Sequence, residues 1–273
     1  MPNMITPTSY LFVPGNRPGR FEKAFASGAD AVILDLEDAV PPSEKQAARS
    51  EIATWLNPAR QVVIRINATD TEWFRDDLTL CAQPGVMAVM LPKAEHVDDI
   101  LRVAHASPFA AVLPLVETAR GFANLGALAR ARNVQRLVFG TIDFQLDMGI
   151  FGDGDELLYF RSRMVLESRI AGIAAPVDGV SESIEDTELL RADALRARRQ
   201  GFGGKLCIHP VQVAAVNAGF TPSADEVAWA NRVVAAAKCA GNSAVTVDGR
   251  MVDRPVVLRA EALLRQQDIK HGV

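Results

Sequence analysis

The chain has 273 residues, a length at which a single α/β barrel is an ordinary outcome. Hydrophobic residues make up 49% and charged residues 23%, which excludes a largely disordered chain and supplies material for a sizeable core. The formal charge of -4 and the 6% aromatic content argue against a nucleic-acid partner. No apolar run approaches the roughly 20 residues that span a bilayer.

The opening stretch, through Pro14-Gly15, lacks a basic segment followed by a long apolar one, so no secretory signal is read. Short β-rich runs then recur at 10–13, 31–36, 62–66, 86–91, 111–116, 136–139, 174–177 and 205–208. Helical patterns fill the gaps at 43–56, 71–81, 97–106, 122–131, 155–171 and 185–200. Ser43 reads as the N-cap of the first, and Gly201 as the residue just past the end of the last. Strands alternating with helices predict a parallel sheet, and eight of them predict a closed (β/α)₈ TIM barrel. An open doubly wound sheet is the alternative, but no GxGxxG follows the first strand. Helices at 211–218 and 224–240 come next, then a break at Gly241-Asn-Ser. The tail reads as two short strands around Asp248-Gly249 and a final helix over 255–267. The expected division is a catalytic barrel over 1–240 and a C-terminal lid or extension over 241–273, packing on an adjacent subunit. Cys81, Cys207 and Cys239 are odd in number, far apart and set in apolar surroundings. They read as packed thiols of a cytoplasmic chain, and no cysteine pattern suggests zinc.

Active sites of such barrels form at the C-terminal ends of the strands, and strand parity tells which residues point inward. Apolar residues at Val32, Leu34 and Leu36 are expected to face the helices, which turns Asp35 and Glu37 inward. Val62, Ile64 and Ile66 likewise turn Arg65 and Asn67 inward. In strand eight, Leu206 and Ile208 are read as outward, with Lys205 and His209 inward. Lys93, Glu117 and Asp143 stand at the ends of strands four, five and six. So many ionisable groups on one rim are costly unless paired or holding a ligand. Taken singly, each has a structural alternative. Glu117 could partner Arg65, Asp143 could cap a helix, and His209 could be a hydrogen-bonded strand-end residue. Lys93 could pair with Glu95 or Glu117, and Arg17, Arg20 and Lys23 could form a solvated face. Together, Glu117 and Asp143 suit a hard divalent cation completed by water, as Mg²⁺ prefers.

Seven motifs run in order along the chain. They are Ser9-Tyr-Leu-Phe-Val-Pro-Gly-Asn-Arg-Pro, Leu34-Asp-Leu-Glu-Asp-Ala-Val-Pro, Val63-Ile-Arg-Ile-Asn67, Met90-Leu-Pro-Lys93, Pro114-Leu-Val-Glu-Thr-Ala-Arg-Gly121, Phe139-Gly-Thr-Ile-Asp-Phe-Gln-Leu-Asp147 and Cys207-Ile-His-Pro210. With the Met251-Val-Asp253 tail, they resemble the citrate lyase β-subunit-like family of the HpcH/HpaI aldolase superfamily. The resemblance implies a TIM barrel, assembled as a homotrimer or a dimer of trimers. It implies Mg²⁺-dependent cleavage or formation of a C–C bond between an acyl thioester and a 2-oxo acid. Glu117 and Asp143 match the metal ligands, and Arg65 matches the arginine that grips the oxo-acid carboxylate. Glu37 and Asp38 match an acidic pair that orders water on the metal. Arg17, Arg20 and Lys23 match the place of coenzyme A phosphates, and His209 lies in a substrate-side motif. Asp253 matches an acid that closes over a neighbouring subunit's site and moves a proton. Ile142 and Gln145 depart from the expected motif, which bears on substrate rather than on metal binding. The implied activity is a lyase acting on malyl-, citramalyl- or citryl-type thioesters of coenzyme A. Two alternatives stand beside it: a citrate lyase β subunit acting on an acyl-carrier-protein thioester, and a malyl-CoA-type thioesterase.

Overall fold

The computed structural model describes residues 6–241 and 244–271. The chain divides into two compact units, Thr6–Asn217 and a second from Ala218 onward. In the first, eight parallel strands close into a barrel in chain order. They are β1 (Ser9–Pro14), β2 (Ala31–Asp35), β3 (Val62–Arg65), β4 (Val86–Leu91), β5 (Ala111–Val116), β6 (Val138–Phe139), β7 (Val177–Asp178) and β8 (Gly204–Cys207). Closure is made by β1 on β8, with Ser9 opposite Lys205. The intervening helices are α1 (Phe21–Phe25), α2 (Lys45–Trp55), α3 (Phe74–Cys81), α4 (Val97–Ala106), α5 (Ala119–Ala123), α6 (Leu125–Ala129), α7 (Thr141–Met148), α8 (Leu158–Ala171), α9 (Thr187–Gln200) and α10 (Pro210–Gly219).

The eight-strand barrel is the expected one, with local differences. The run from Ser43 opens as a 3₁₀ turn, Pro42–Glu44, and the Ser43 side chain caps nothing. The stretch at 122–131 is two short helices that meet at Asn124. Helix α7 was not read from the sequence at all. Gly201 adopts φ 99° past the end of α9, as its position implied.

The barrel is filled by one cluster of apolar side chains, including Tyr10, Ile33, Val63, Met90, Leu113 and Leu206. The alternate residues, such as Val32, Leu34, Ile64 and Val89, are equally buried on the helix side. Both faces are apolar, as in any parallel sheet covered by helices. Near the N-terminal ends of the strands, fully buried Arg136 donates to the carbonyls of Pro7 (2.7 Å) and Ala175 (2.8 Å) and to the Tyr10 hydroxyl (3.2 Å). That frees the opposite rim to carry the site.

The second unit packs α11 (Ala224–Cys239) and α12 (Arg254–His271) together with a hairpin of β9 (Val245–Val247) and β10 (Arg250–Val252). The hairpin turns through Asp248 and Gly249 at φ 51° and 73°, the left-handed pair a two-residue turn needs. Ser223 and Glu226 form a capping box at the start of α11. Ala230, Val233, Val247, Val252 and Ala260 make its core. The division therefore falls at Asn217/Ala218 rather than at the expected 240/241, because α11 buries its apolar stripe against the tail elements. Of the Gly241-Asn-Ser break, Asn242 and Ser243 lie outside the described residues. Cys81 and Cys207 are packed as expected, but Cys239 is exposed on α11. No helix among the described residues is long and apolar enough to cross a membrane.

Candidate active site

The end of β2 and the end of β3 lie side by side, with Asp35 in register with Arg65. Inward parity brings their side chains together above the apolar cluster. Asp35 accepts from Arg65 Nε and Nη2, both at 2.7 Å, a bidentate pair in which the residues are 1% and 9% exposed. Asp35 also accepts from the backbone N–H groups of Glu37 (2.9 Å) and Ala39 (3.3 Å), so it shapes the loop that carries Glu37 and Asp38. Arg65 Nη1 reaches Glu37 at 2.8 Å and Asp38 at 3.4 Å. The guanidinium also stacks on Phe12, 4.8 Å from the ring centre. Burial disfavours the Arg65 charge, but these three carboxylates outweigh it and hold the group above its usual range. Burial, with neighbouring carboxylates, pushes Glu37 up to about 8 despite Arg65. Glu37 Oε2 is a buried acceptor with no hydrogen bond, its contact with Arg65 being an ion pair only.

The same loop is tied from behind by a residue that sequence reasoning passed over. Buried Lys45, at the start of α2, donates to the carbonyls of Leu36 (2.7 Å) and Glu37 (2.8 Å) and to Asn67 Oδ1 (2.6 Å). Asn67 in turn donates to Asp77 at 2.7 Å. It therefore belongs to this supporting network behind the rim.

Glu117 follows β5 and is 2% exposed. Its Oε1 accepts the backbone N–H of Lys93 at 2.7 Å, and Lys93 adopts φ 48° to present it. The Lys93 side chain is exposed, so the residue serves Glu117 through its backbone rather than through an ion pair. Glu117 Oε2 lies against Gly140, where an added Cβ would come within 2.5 Å of it. Gly140 is thus the one residue that lets the carboxylate sit between β5 and β6. Asp143 stands in the first turn of α7, which follows β6 directly, and adds negative charge beside Glu117. Burial, against the Lys93 hydrogen bond and with the Asp143 charge, pushes Glu117 up to about 7.

Asp35, Asp38, Arg65, Glu117 and Asp143 line one cavity of about 470 Å³ at this rim. Apolar residues complete it, among them Phe12, Leu115, Phe139, Ile142, Val180, Leu206 and Ile208. Four carboxylates face one guanidinium, and Asp35 already occupies that guanidinium. Among the described residues no lysine or arginine pairs with Glu117 or Asp143. A hard divalent cation would offset that excess and would find free oxygens on both. No group of three or more His, Cys, Asp or Glu is gathered among the described residues, so the protein would supply two ligands and water the rest.

Strand eight corrects the expected parity. Leu206 packs in the barrel interior and Ile208 lines the cavity, so Lys205 points the other way. Buried Lys205 donates to the Gly179 carbonyl (2.6 Å) and lies 3.9 Å from Asp178, which pairs with Arg161 of α8. His209 does not line the cavity; its Nδ1 accepts from Val211 N at 3.3 Å. Arg17 precedes an exposed 3₁₀ turn after β1, Pro18–Arg20, which ends on Arg20, and Lys23 is exposed on α1. Asp253 belongs to the second unit, where its Oδ1 accepts from Val256 N at 3.4 Å at the start of α12. Gln145 donates to the Gly152 carbonyl at 3.0 Å and holds the loop after α7. Asp35 was visible by parity, but its bidentate role needed the β2–β3 register.

The profile of the HpcH/HpaI aldolase/citrate lyase family matches residues 8–210. A citrate lyase subunit beta-like protein of Mycobacterium tuberculosis is 39% identical over 265 residues, covering 94% of either chain. A (3S)-malyl-CoA thioesterase of Cereibacter sphaeroides is 35% identical over 269 residues, covering 95% of this chain and 94% of that one. Among solved structures, CitE from Mycobacterium tuberculosis, in complex with magnesium, acetoacetate and coenzyme A, superposes with a TM-score of 0.86 at 37% identity. That match covers 95% of this chain and 97% of the other. With the closed barrel and its acid-lined rim, these matches mean that the chain belongs to the HpcH/HpaI aldolase/citrate lyase family.

Proposed function

We propose that the protein is a Mg²⁺-dependent carbon–carbon lyase that cleaves a 3-hydroxyacyl-CoA thioester to an acyl thioester and a 2-oxo acid. The observation that carries this is one cavity joining a preorganised guanidinium, Arg65, to two carboxylates, Glu117 and Asp143, that no lysine or arginine among the described residues pairs. The magnesium and coenzyme A held by the CitE structure support the choice of both. In the retro-Claisen step the 3-hydroxyl passes its proton to water ordered by Glu37 and Asp38, the carbinol oxygen becomes the keto oxygen as the C2–C3 bond breaks, and the electron pair of that bond passes to the thioester enolate. Arg65 grips the carboxylate beside the reacting carbon through Nη1, where that carboxylate takes the place of Glu37 and Asp38, while Asp35 and Phe12 fix its plane. Glu117 and Asp143 hold the cation, which when bound lowers the hydroxyl pKa and stabilises the developing charge. Glu37 and Asp38 order water beside it. Asp253 delivers a proton to the enolate carbon from an adjacent subunit of a homotrimer, or of a dimer of trimers. Arg17, Arg20 and Lys23 take the coenzyme A phosphates, and their exposure leaves them open to do so. His209 is given no role in the cavity.

A thioesterase is the second reading, favoured by the Cereibacter sphaeroides relative. The two differ in product. With Mg²⁺ and malyl- or citramalyl-CoA, a lyase releases oxo acid and acyl-CoA together, with no free coenzyme A. A thioesterase releases free coenzyme A and an intact hydroxy acid. The second outcome alone would overturn the lyase assignment. A citryl thioester carried by an acyl carrier protein is distinguished by offering both carriers to the same preparation.

A further inference from the structure

The apolar wall of the cavity is as definite as its acid wall. Ile142 and Ile208 both line the cavity and are 47% and 43% exposed, so they offer apolar surface that a bound alkyl group would cover. Val180 and Leu206 continue the same wall inward. Among the described residues lining the cavity, Arg65 is the only cation, and Asp35, Glu37 and Asp38 already crowd it. Lys205, which the sequence placed here, is turned away into the Asp178–Arg161 network. With the divalent cation of Glu117 and Asp143 committed to the reacting oxygens, the side chains of the cavity offer an anchor for one substrate carboxylate and none for a second. A second carboxylate would lie either against isoleucine or beside Asp38 and Asp143, unpaired in both places.

We propose that the cavity selects a 2-oxo acid with a single carboxylate and a short uncharged alkyl group, and discriminates against dicarboxylic 2-oxo acids. Ile142 and Ile208 are the specificity-determining residues, covering the alkyl group. The proposal rests on the lyase reading above and narrows it to thioesters whose cleaved half carries hydrogen or a small alkyl group at the carbinol carbon.

The test is calorimetric and needs no turnover. Pyruvate, 2-oxobutanoate and freshly prepared oxaloacetate are titrated separately into the full-length protein in saturating Mg²⁺. Both monocarboxylates are expected to bind, with oxaloacetate at least about tenfold weaker. Ile142→Lys, at an exposed position that tolerates a charge, should strengthen oxaloacetate relative to pyruvate and narrow or reverse that ratio. Oxaloacetate binding the wild type as tightly as pyruvate overturns the proposal, and this ranking decides even if the lysine variant does not fold. Should none of the three acids bind, the lyase reading itself falls and takes the proposal with it. Should they bind in the wrong order, only the selectivity falls.

Discussion

Removing the Asp35 carboxylate is the most informative single perturbation of the rim. Asp35 is 1% exposed and accepts two 2.7 Å bonds from Arg65, and it also takes the N–H groups of Glu37 and Ala39. Truncating one partner of a buried pair costs about 3–5 kcal/mol, because the other charge is left buried and uncompensated. Glu37 and Asp38 remain near Arg65 and place Asp35→Ala toward the lower end, while two backbone donors without an acceptor push it back up by about 1 kcal/mol each. For a chain of this size, a loss of 3–5 kcal/mol corresponds to a fall in Tm of roughly 6–20 °C. Differential scanning calorimetry of metal-free protein reads this directly. The companion is Asp35→Leu with Arg65→Met, which removes both charges and fills the space. It should be less destabilised than the sum of its single changes, as a coupled pair requires. Asp35→Ala within about 1 kcal/mol of wild type, or an additive double variant, would refute the view that this pair organises the β2–β3 rim.

Arg65→Lys keeps the charge and loses the fork, so kcat/KM should fall by about a hundredfold or more while Tm moves little, measured by steady-state kinetics beside calorimetry. Glu117→Gln and Asp143→Asn should each weaken Mg²⁺ in a calorimetric titration. In the wild type the affinity should fall as pH drops through about 7, since Glu117 must ionise to ligate. Without metal the sign for stability is opposite. Glu117 and Glu37 hold protons in the fold that the unfolded chain releases near 4.5, so stability should decline as pH rises from about 4.5 to about 8, as a pH series of melts would show. In native protein a thiol reagent should modify exposed Cys239 quickly and spare Cys207, whose thiol burial pushes up to about 12. Asp253→Ala and Arg65→Ala chains, each inactive alone, should regain partial activity when mixed after dissociation; co-assembly without activity would refute a shared site.

The barrel was legible because eight strand-like runs alternate with helical ones, and the pairing follows that order. Asp35, Arg65 and Glu117, at the ends of β2, β3 and β5, line the cavity where their strand positions put them, because a strand flanked by apolar outward residues turns its alternate residues inward. Strand eight misled because the barrel interior is as apolar as its outer face, so Leu206 fits both sides. Lys205 is buried on the helix side, where Asp178, its register partner on β7, and the Gly179 carbonyl compensate its charge, a pairing that only the β7–β8 register reveals. Helix α7 was missed because its short span, beginning directly after Gly140, lacks an amphipathic signal and a side-chain cap. Yet it is this helix that carries Asp143 and Ile142 to the rim. Lys45 could not be found by pattern, since a lysine at the start of α2 is ordinarily solvated, and only the loop it ties shows its role.

A crystal structure of the protein with Mg²⁺ and pyruvate tests the central claim most directly. The ion should lie about 2.0–2.1 Å from carboxylate oxygens of both Glu117 and Asp143. The pyruvate carboxylate should sit on the Arg65 guanidinium, with the methyl group toward Ile142. An ion held elsewhere, or an oxo acid bound away from Arg65, would contradict it.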